Sequence, residues 1–264
     1  MRGSIATPGA ETTRYGGNTS CLEVRCGRDL LIFDAGTGLR ALGQKLAGSG
    51  PIDADLFFSH THLDHVGGLP FFSAAFDPAN TFRLWAGHLE AGMTLRDVLD
   101  HMMTAPLFPV PLEIFKANIV FHDFRAGEEL RPRPEIRLKT QPLNHPNGAT
   151  GYRIEYGGKS ICYVTDTEHT GQDLDRNILA LIQGADIVIY DSTYTDEEYP
   201  HFKTWGHSTW QEGVRLCEAA GAKRLVIFHH DPSHDDAFMD RIAELASKRR
   251  PGTLVAREGM TLAP

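Results

Sequence analysis

The chain has 264 residues, 41% of them apolar, which is enough for one large domain (1–264) with a well-buried core. Its formal net charge of -8 argues against a protein that clamps long nucleic acid, because such binding needs a clustered basic surface and Lys248, Arg249 and Arg250 form the only basic run. A secretory pattern and an apolar run near the roughly 20 residues needed to span a bilayer are both absent, and Cys21, Cys26, Cys162 and Cys217 form no C-x-x-C pair. A soluble, cytoplasmic protein with reduced thiols is therefore expected.

In chain order, β-rich runs predict strands at 21–25, 30–34, 55–59, 82–85, 119–124, 136–141, 152–156, 160–165, 186–191 and 224–229. Helical spacing predicts helices at 38–46, 95–103, 174–182, 209–220 and 236–247. Many strands with interspersed helices imply an α/β protein with sheets inside and helices outside. The apolar, proline-containing stretch 102–115 reads equally as a lid or dimer contact and as a loop that covers the core.

The densest chemistry lies in "SHTHLDHVGG", residues 59–68. The apolar run "ADLFFSH" ends at His60, so the histidines stand at the carboxyl end of a buried strand. On extended backbone His60 and His62 point to one side and can reach one cation. After the turn, Asp64 and His65 can address a second. A solvated loop in which Asp64 merely caps a helix would leave a buried strand ending in imidazoles with no ligand to explain them.

"HTHLDH" after an apolar strand resembles the signature of the metallo-β-lactamase superfamily. The resemblance runs through "LIFDAGTGLRALG", "LNHP", "YVTDTEH", "YDSTY", "WGHSTW" and "LVIFHHDP", and is nearest to the ribonuclease Z and phosphodiesterase branch. It implies a four-layer αββα sandwich and a dinuclear metal site. It also implies a strand ahead of Arg2-Gly3-Ser4, for which the sequence as it begins offers no counterpart.

Carried over residue by residue, the pattern implies His60, His62 and His145 for one metal, Asp64, His65 and His229 for the other, and Asp166 as the bridging carboxylate. His230 competes with His229, since a one-residue shift turns the side chain to the other face, and the strand–histidine pattern selects His229. Nitrogen and oxygen ligands without thiolate favour Zn²⁺, while Mn²⁺ and Fe²⁺ are compatible. The candidate catalytic residues are His207, assigned by the resemblance to protonation of the leaving group, and Asp64. Ser208 or Thr209 can cap the following helix at the same time.

Two cations sharing a hydroxide can drive hydrolysis and neutralise a phosphoryl oxygen. Without the basic arm by which ribonuclease Z grips transfer RNA, the expected partner is a small, cyclic nucleotide-like phosphodiester, and long nucleic acid and membrane are not expected. A ribonuclease Z-like RNA endonuclease and a thioester or lactone hydrolase of the same fold are the alternatives, and a homodimer is compatible with the sequence.

Overall fold

The computed structural model describes residues 1–264 except 49, 170 and 172. It divides into two compact units, Ser20–Arg125 and a discontinuous one made of Met1–Thr19 with Ala126–Pro264. Each is built on one sheet.

The first unit carries strands β1 (Leu22–Cys26), β2 (Asp29–Phe33), β3 (Asp53–Phe58), β4 (Thr81–Ala86) and β5 (Asn118–Asp123), which lie side by side in that order. β1 and β2 form an antiparallel hairpin, and the remaining pairs are parallel. Helices α1 (Gly38–Leu46) and α3 (Leu95–Met102) serve as crossovers, and α2 (Leu63–Val66) is a single turn after β3. Leu39, Leu42 and Leu46 of α1 and Leu95 and Leu99 of α3 pack in one cluster with Leu30, Ile32, Leu56, Phe58, Phe82 and Leu84 of the sheet. β3 is buried from Ala54 to Phe58, on both faces, so its sequence shows no apolar–polar alternation; the one charged residue in the stretch, Asp55, accepts from Arg83 Nε and Trp85 Nε1. In the stretch 102–115, Met103, Leu112 and Phe115 are buried in this same core, as a core-covering loop requires, while Leu107 is 82% exposed.

The second unit holds β6 (Glu129–Arg133), β7 (Ile136–Leu143), β8 (Ala149–Tyr156), β9 (Lys159–Val164), β10 (Ile187–Asp191), β11 (Arg224–Phe228) and β12 (Leu254–Val255), again in sequence order across the sheet. β6 to β9 run antiparallel as a meander; β9 to β12 are parallel and need the helices α4 (Arg176–Ile182), α5 (Trp210–Ala219) and α6 (Asp236–Arg249) between them. Ile178, Leu181 and Ile182, Val214, Leu216 and Cys217, and Met239, Ile242 and Ala246 bring the three helices onto Cys162, Val164, Val188, Tyr190, Leu225 and Ile227. Each helix starts at a side-chain cap: Asp175 for α4, Thr209 for α5 and Asp235 for α6. The N-terminal segment is anchored here by Arg2, which is fully buried, bridges to Thr19 and His230, and donates through its guanidinium to the carbonyls of Gly16, Asp231 and His234.

The predicted elements recur with boundaries shifted by a few residues at most. β6, β12 and α2 are additions: β6 contains Pro132, and the other two are very short. All four cysteines are free thiols. Among the described residues no helix is long and apolar enough to cross a membrane.

Candidate metal centre

In the first unit the site grows from the end of β3. Asp34, just past β2, is fully buried with φ of 62°, a left-handed backbone that non-glycine residues rarely adopt. Its carboxylate accepts from the Ser59 backbone N–H at 2.7 Å, from Ser59 Oγ at 2.8 Å and from His65 Nδ1 at 2.8 Å. Ser59 Oγ, its proton given to Asp34, lies 3.1 Å from His60 Nδ1 and accepts from it. His62 precedes α2, with its ring edge-on to His60 at 4.5 Å between centroids. Asp64 lies in the first turn of α2, and its Oδ2 is 3.2 Å from His65 Nε2. His88 stands near this group, its Nε2 3.1 Å from Thr61 Oγ1; burial and then neighbouring His62 push its pKa down to about 4, so the imidazole is neutral at ordinary pH.

In the second unit the corresponding residues come from separate strand ends. His145 follows β7, Asp166 follows β9, Asp191 ends β10 and His229 follows β11. Asp166 and His229 both have left-handed φ, 51° and 61°, the kind of strain that folds retain at functional positions. Asp166 divides its carboxylate: Oδ1 is 3.2 Å from His229 Nε2 and Oδ2 is 3.7 Å from His145 Nε2. Asp191 is fully buried and accepts from the Thr167 and Thr193 backbone N–H groups, from Thr193 Oγ1 at 2.7 Å and from His207 Nδ1 at 3.0 Å. Burial opposes the charge on Asp191, but His207 and then His229 outweigh it and hold the carboxyl below its ordinary range. Thr193 Oγ1, bonded to Asp191, lies 3.1 Å from His229 Nδ1.

The ligand atoms of Asp166, Asp191, His207 and His229 all lie within 4.8 Å of one another. His230 is turned elsewhere: its Nε2 meets the Ala256 carbonyl at 3.0 Å and its ring stands edge-on to Tyr15.

Whether these residues suit a cation can be judged from their nitrogens. His60, His65, His145 and His229 each commit Nδ1 to a protein partner, Ser59, Asp34, the Gly206 carbonyl and Thr193 respectively, which makes Nε2 the nitrogen that a cation would take. Ligands about 2.0–2.2 Å from a tetrahedral ion sit about 3.3 Å apart. The Asp64–His65 and Asp166–His229 separations, both 3.2 Å, match that spacing. Two glycines leave room for the rings: a Cβ at Gly3 would collide with His229, and one at Gly206, where φ is +84°, would collide with His145. The donor set fits a divalent metal.

The sequence pattern of the Beta-lactamase superfamily domain matches residues 30–230, from β2 past the end of β11. The chain belongs to this superfamily. Among curated members, ribonuclease Z of Haloarcula marismortui is 24% identical over 97% of this chain and 94% of its own length, and ribonuclease Z of Gemmatimonas aurantiaca is 27% identical over 88% and 85%. Solved structures share the fold: Zn²⁺-bound PqqB from Methylobacterium extorquens (TM-score 0.73, 18% identity, 100% of this chain and 97% of that one) and the short form of human tRNase Z (0.67, 19%, 98% and 96%). A diphosphatase of the PhnP family covers 93% of this chain and 84% of its own at a TM-score of 0.68 and 20% identity. The protein is thus a metallo-β-lactamase-fold hydrolase, and the curated relatives it resembles bear the name ribonuclease Z. The name of those relatives weighs against the expectation that long nucleic acid is not a partner.

The sequence pattern gives Asp34 no role, although "LIFDAG" shows an aspartate closing an apolar run, as "YVTD" does at Asp166. His88 carries no such signal.

Proposed function

We propose that the protein is a metal-dependent phosphodiesterase acting on a small phosphodiester of the cyclic-nucleotide kind. His60, His62 and His145 would hold one divalent cation and Asp64, His65 and His229 a second, with Asp166 between them; Zn²⁺ suits this nitrogen and oxygen set, and Mn²⁺ or Fe²⁺ would also fit. Two such ions supply an activated water and neutralise charge on the phosphoryl group. The observation that carries the reading is the His207–Asp191 pair. With Nδ1 held 3.0 Å from a buried carboxylate, His207 can carry a proton on Nε2 and deliver it to a departing alkoxide, while Asp191 stabilises the imidazolium. A thiolate leaves without such help, so a thioester hydrolase would have little use for the pair.

RNA is the second reading, favoured by the ribonuclease Z relatives that align over most of their length. The deciding experiment compares hydrolysis of cyclic nucleotides, a transfer-RNA precursor, bis-p-nitrophenyl phosphate and a thioester by metal-reconstituted wild type and His207→Ala. Cyclic nucleotides should turn over fastest, and the variant should lose about 10²–10⁴-fold on them, with much less lost where p-nitrophenolate leaves. Cleavage of the RNA alone would replace the small substrate by RNA. Equal losses on all leaving groups would remove His207 as the acid.

A further inference from the structure

His145 and His207 come from distant parts of the chain, yet one residue that carries no role in the ligand set or as proton donor ties them together. Glu168 follows β9 by a few residues and is 9% exposed. Its backbone is locked to the residue before His145: Glu168 N–H donates to the Asn144 carbonyl at 2.8 Å, and Asn144 Nδ2 donates to the Glu168 carbonyl at 2.8 Å. Its carboxylate reaches the segment that leads into His207. Oε1 accepts from the Thr204 N–H at 2.8 Å and from Tyr199 OH at 3.0 Å, and Oε2 accepts from the Gly206 N–H at 3.0 Å.

Two of the residues it holds have left-handed backbone, Thr204 at φ 74° and Gly206 at φ 84°, and for threonine that conformation is costly unless its surroundings enforce it. The circuit closes through Gly206, whose carbonyl accepts from His145 Nδ1 at 2.8 Å. Gly206 also immediately precedes His207. One carboxylate therefore fixes the carbonyl that sets the His145 tautomer and the strained turn that aims His207.

We propose that Glu168 is a positioning residue for both the His145 ligand and the His207 proton donor, acting through the 204–206 turn; the catalytic half of this rests on the phosphodiesterase reading above. A neutral amide tests it at constant size. Glutamine offers one acceptor oxygen, so it cannot serve both Gly206 N–H and the Thr204–Tyr199 pair, and one arm of the clamp is lost.

The test compares wild type, Glu168→Gln and Tyr199→Phe, with metal retention followed by chelator competition and turnover measured on an alkyl and a p-nitrophenyl phosphodiester. Tyr199→Phe removes a hydroxyl that touches the same carboxylate but leaves the turn's bonds to Glu168 intact. Glu168→Gln should weaken metal retention about 10-fold or more, in the range seen when the partner of a ligating histidine is lost. It should also slow the alkyl substrate about 10-fold more than the p-nitrophenyl one, and Tyr199→Phe should do neither. Unchanged retention and an unchanged substrate ratio in Glu168→Gln, with only a lower Tm, would overturn the proposal, as would a Tyr199→Phe that matches it. Should His207→Ala show no leaving-group dependence, the phosphodiesterase reading fails, and the retention measurement still decides whether Glu168 positions His145.

Discussion

The two units build their histidine clusters on the same plan from different sequence material. In the first, Asp34 takes a hydroxyl proton from Ser59, whose oxygen faces His60, and an imidazole proton from His65. In the second, Asp191 takes a hydroxyl proton from Thr193, whose oxygen faces His229, and is paired with His207. Each unit thus uses a fully buried aspartate at a strand end and one hydroxyl to orient two imidazoles. In our reading the outcomes differ. Both histidines served by Asp34 are ligands, whereas Asp191 serves one ligand and one proton donor. A shared hydrogen-bond plan can therefore support two kinds of chemistry, and substitutions at its parts should tell them apart.

The largest effect is expected at Asp166, whose two oxygens are divided between His145 and His229. Asp166→Ala should abolish hydrolysis and weaken metal retention, because two neighbouring cations would lose the carboxylate that offsets their repulsion. Elemental analysis and a turnover assay check it; full metal content with normal turnover would place the bridge elsewhere, with Asp191 the next candidate.

Smaller and more telling is the pair Asp191→Asn and Asp34→Asn. An amide NH₂ facing a histidine Nδ1 makes that nitrogen an acceptor and moves the ring proton to Nε2. For His207 this leaves a proton in place but withdraws the charge that stabilises the imidazolium, so Asp191→Asn should lose about 10²-fold on a poor leaving group while it keeps its metal. For His65 it blocks the nitrogen that a cation would take, so Asp34→Asn should weaken metal affinity about 10–100-fold. Chelator competition beside turnover separates the two, and identical behaviour of the variants would end the distinction drawn between the units.

The same contrast explains what could be read from the sequence. His60, His62, Asp64 and His65 fall within six positions, so their spacing alone proposes a site. His145, Asp166, His207 and His229 are scattered, and each alone is an ordinary turn or strand-end residue; they stood out through the superfamily pattern. Most strands and helices were legible because burial imposes period or apolar runs: α1 was predicted with both ends as observed. β6 was hidden by Pro132 and by its half-exposed alternation. Asp34 and Glu168 escaped assignment because their importance lies in partners distant in sequence, His65 for one and the 204–206 turn for the other. A single acidic residue carries no record of such a partner.

Every role proposed for these imidazoles and carboxylates depends on their holding divalent ions. Elemental analysis of the purified protein, before and after reconstitution with Zn²⁺ or Mn²⁺, tests it most directly. About two ions per chain are expected, since each ligand set can complete one site; a chain that takes up none even after reconstitution would contradict the account.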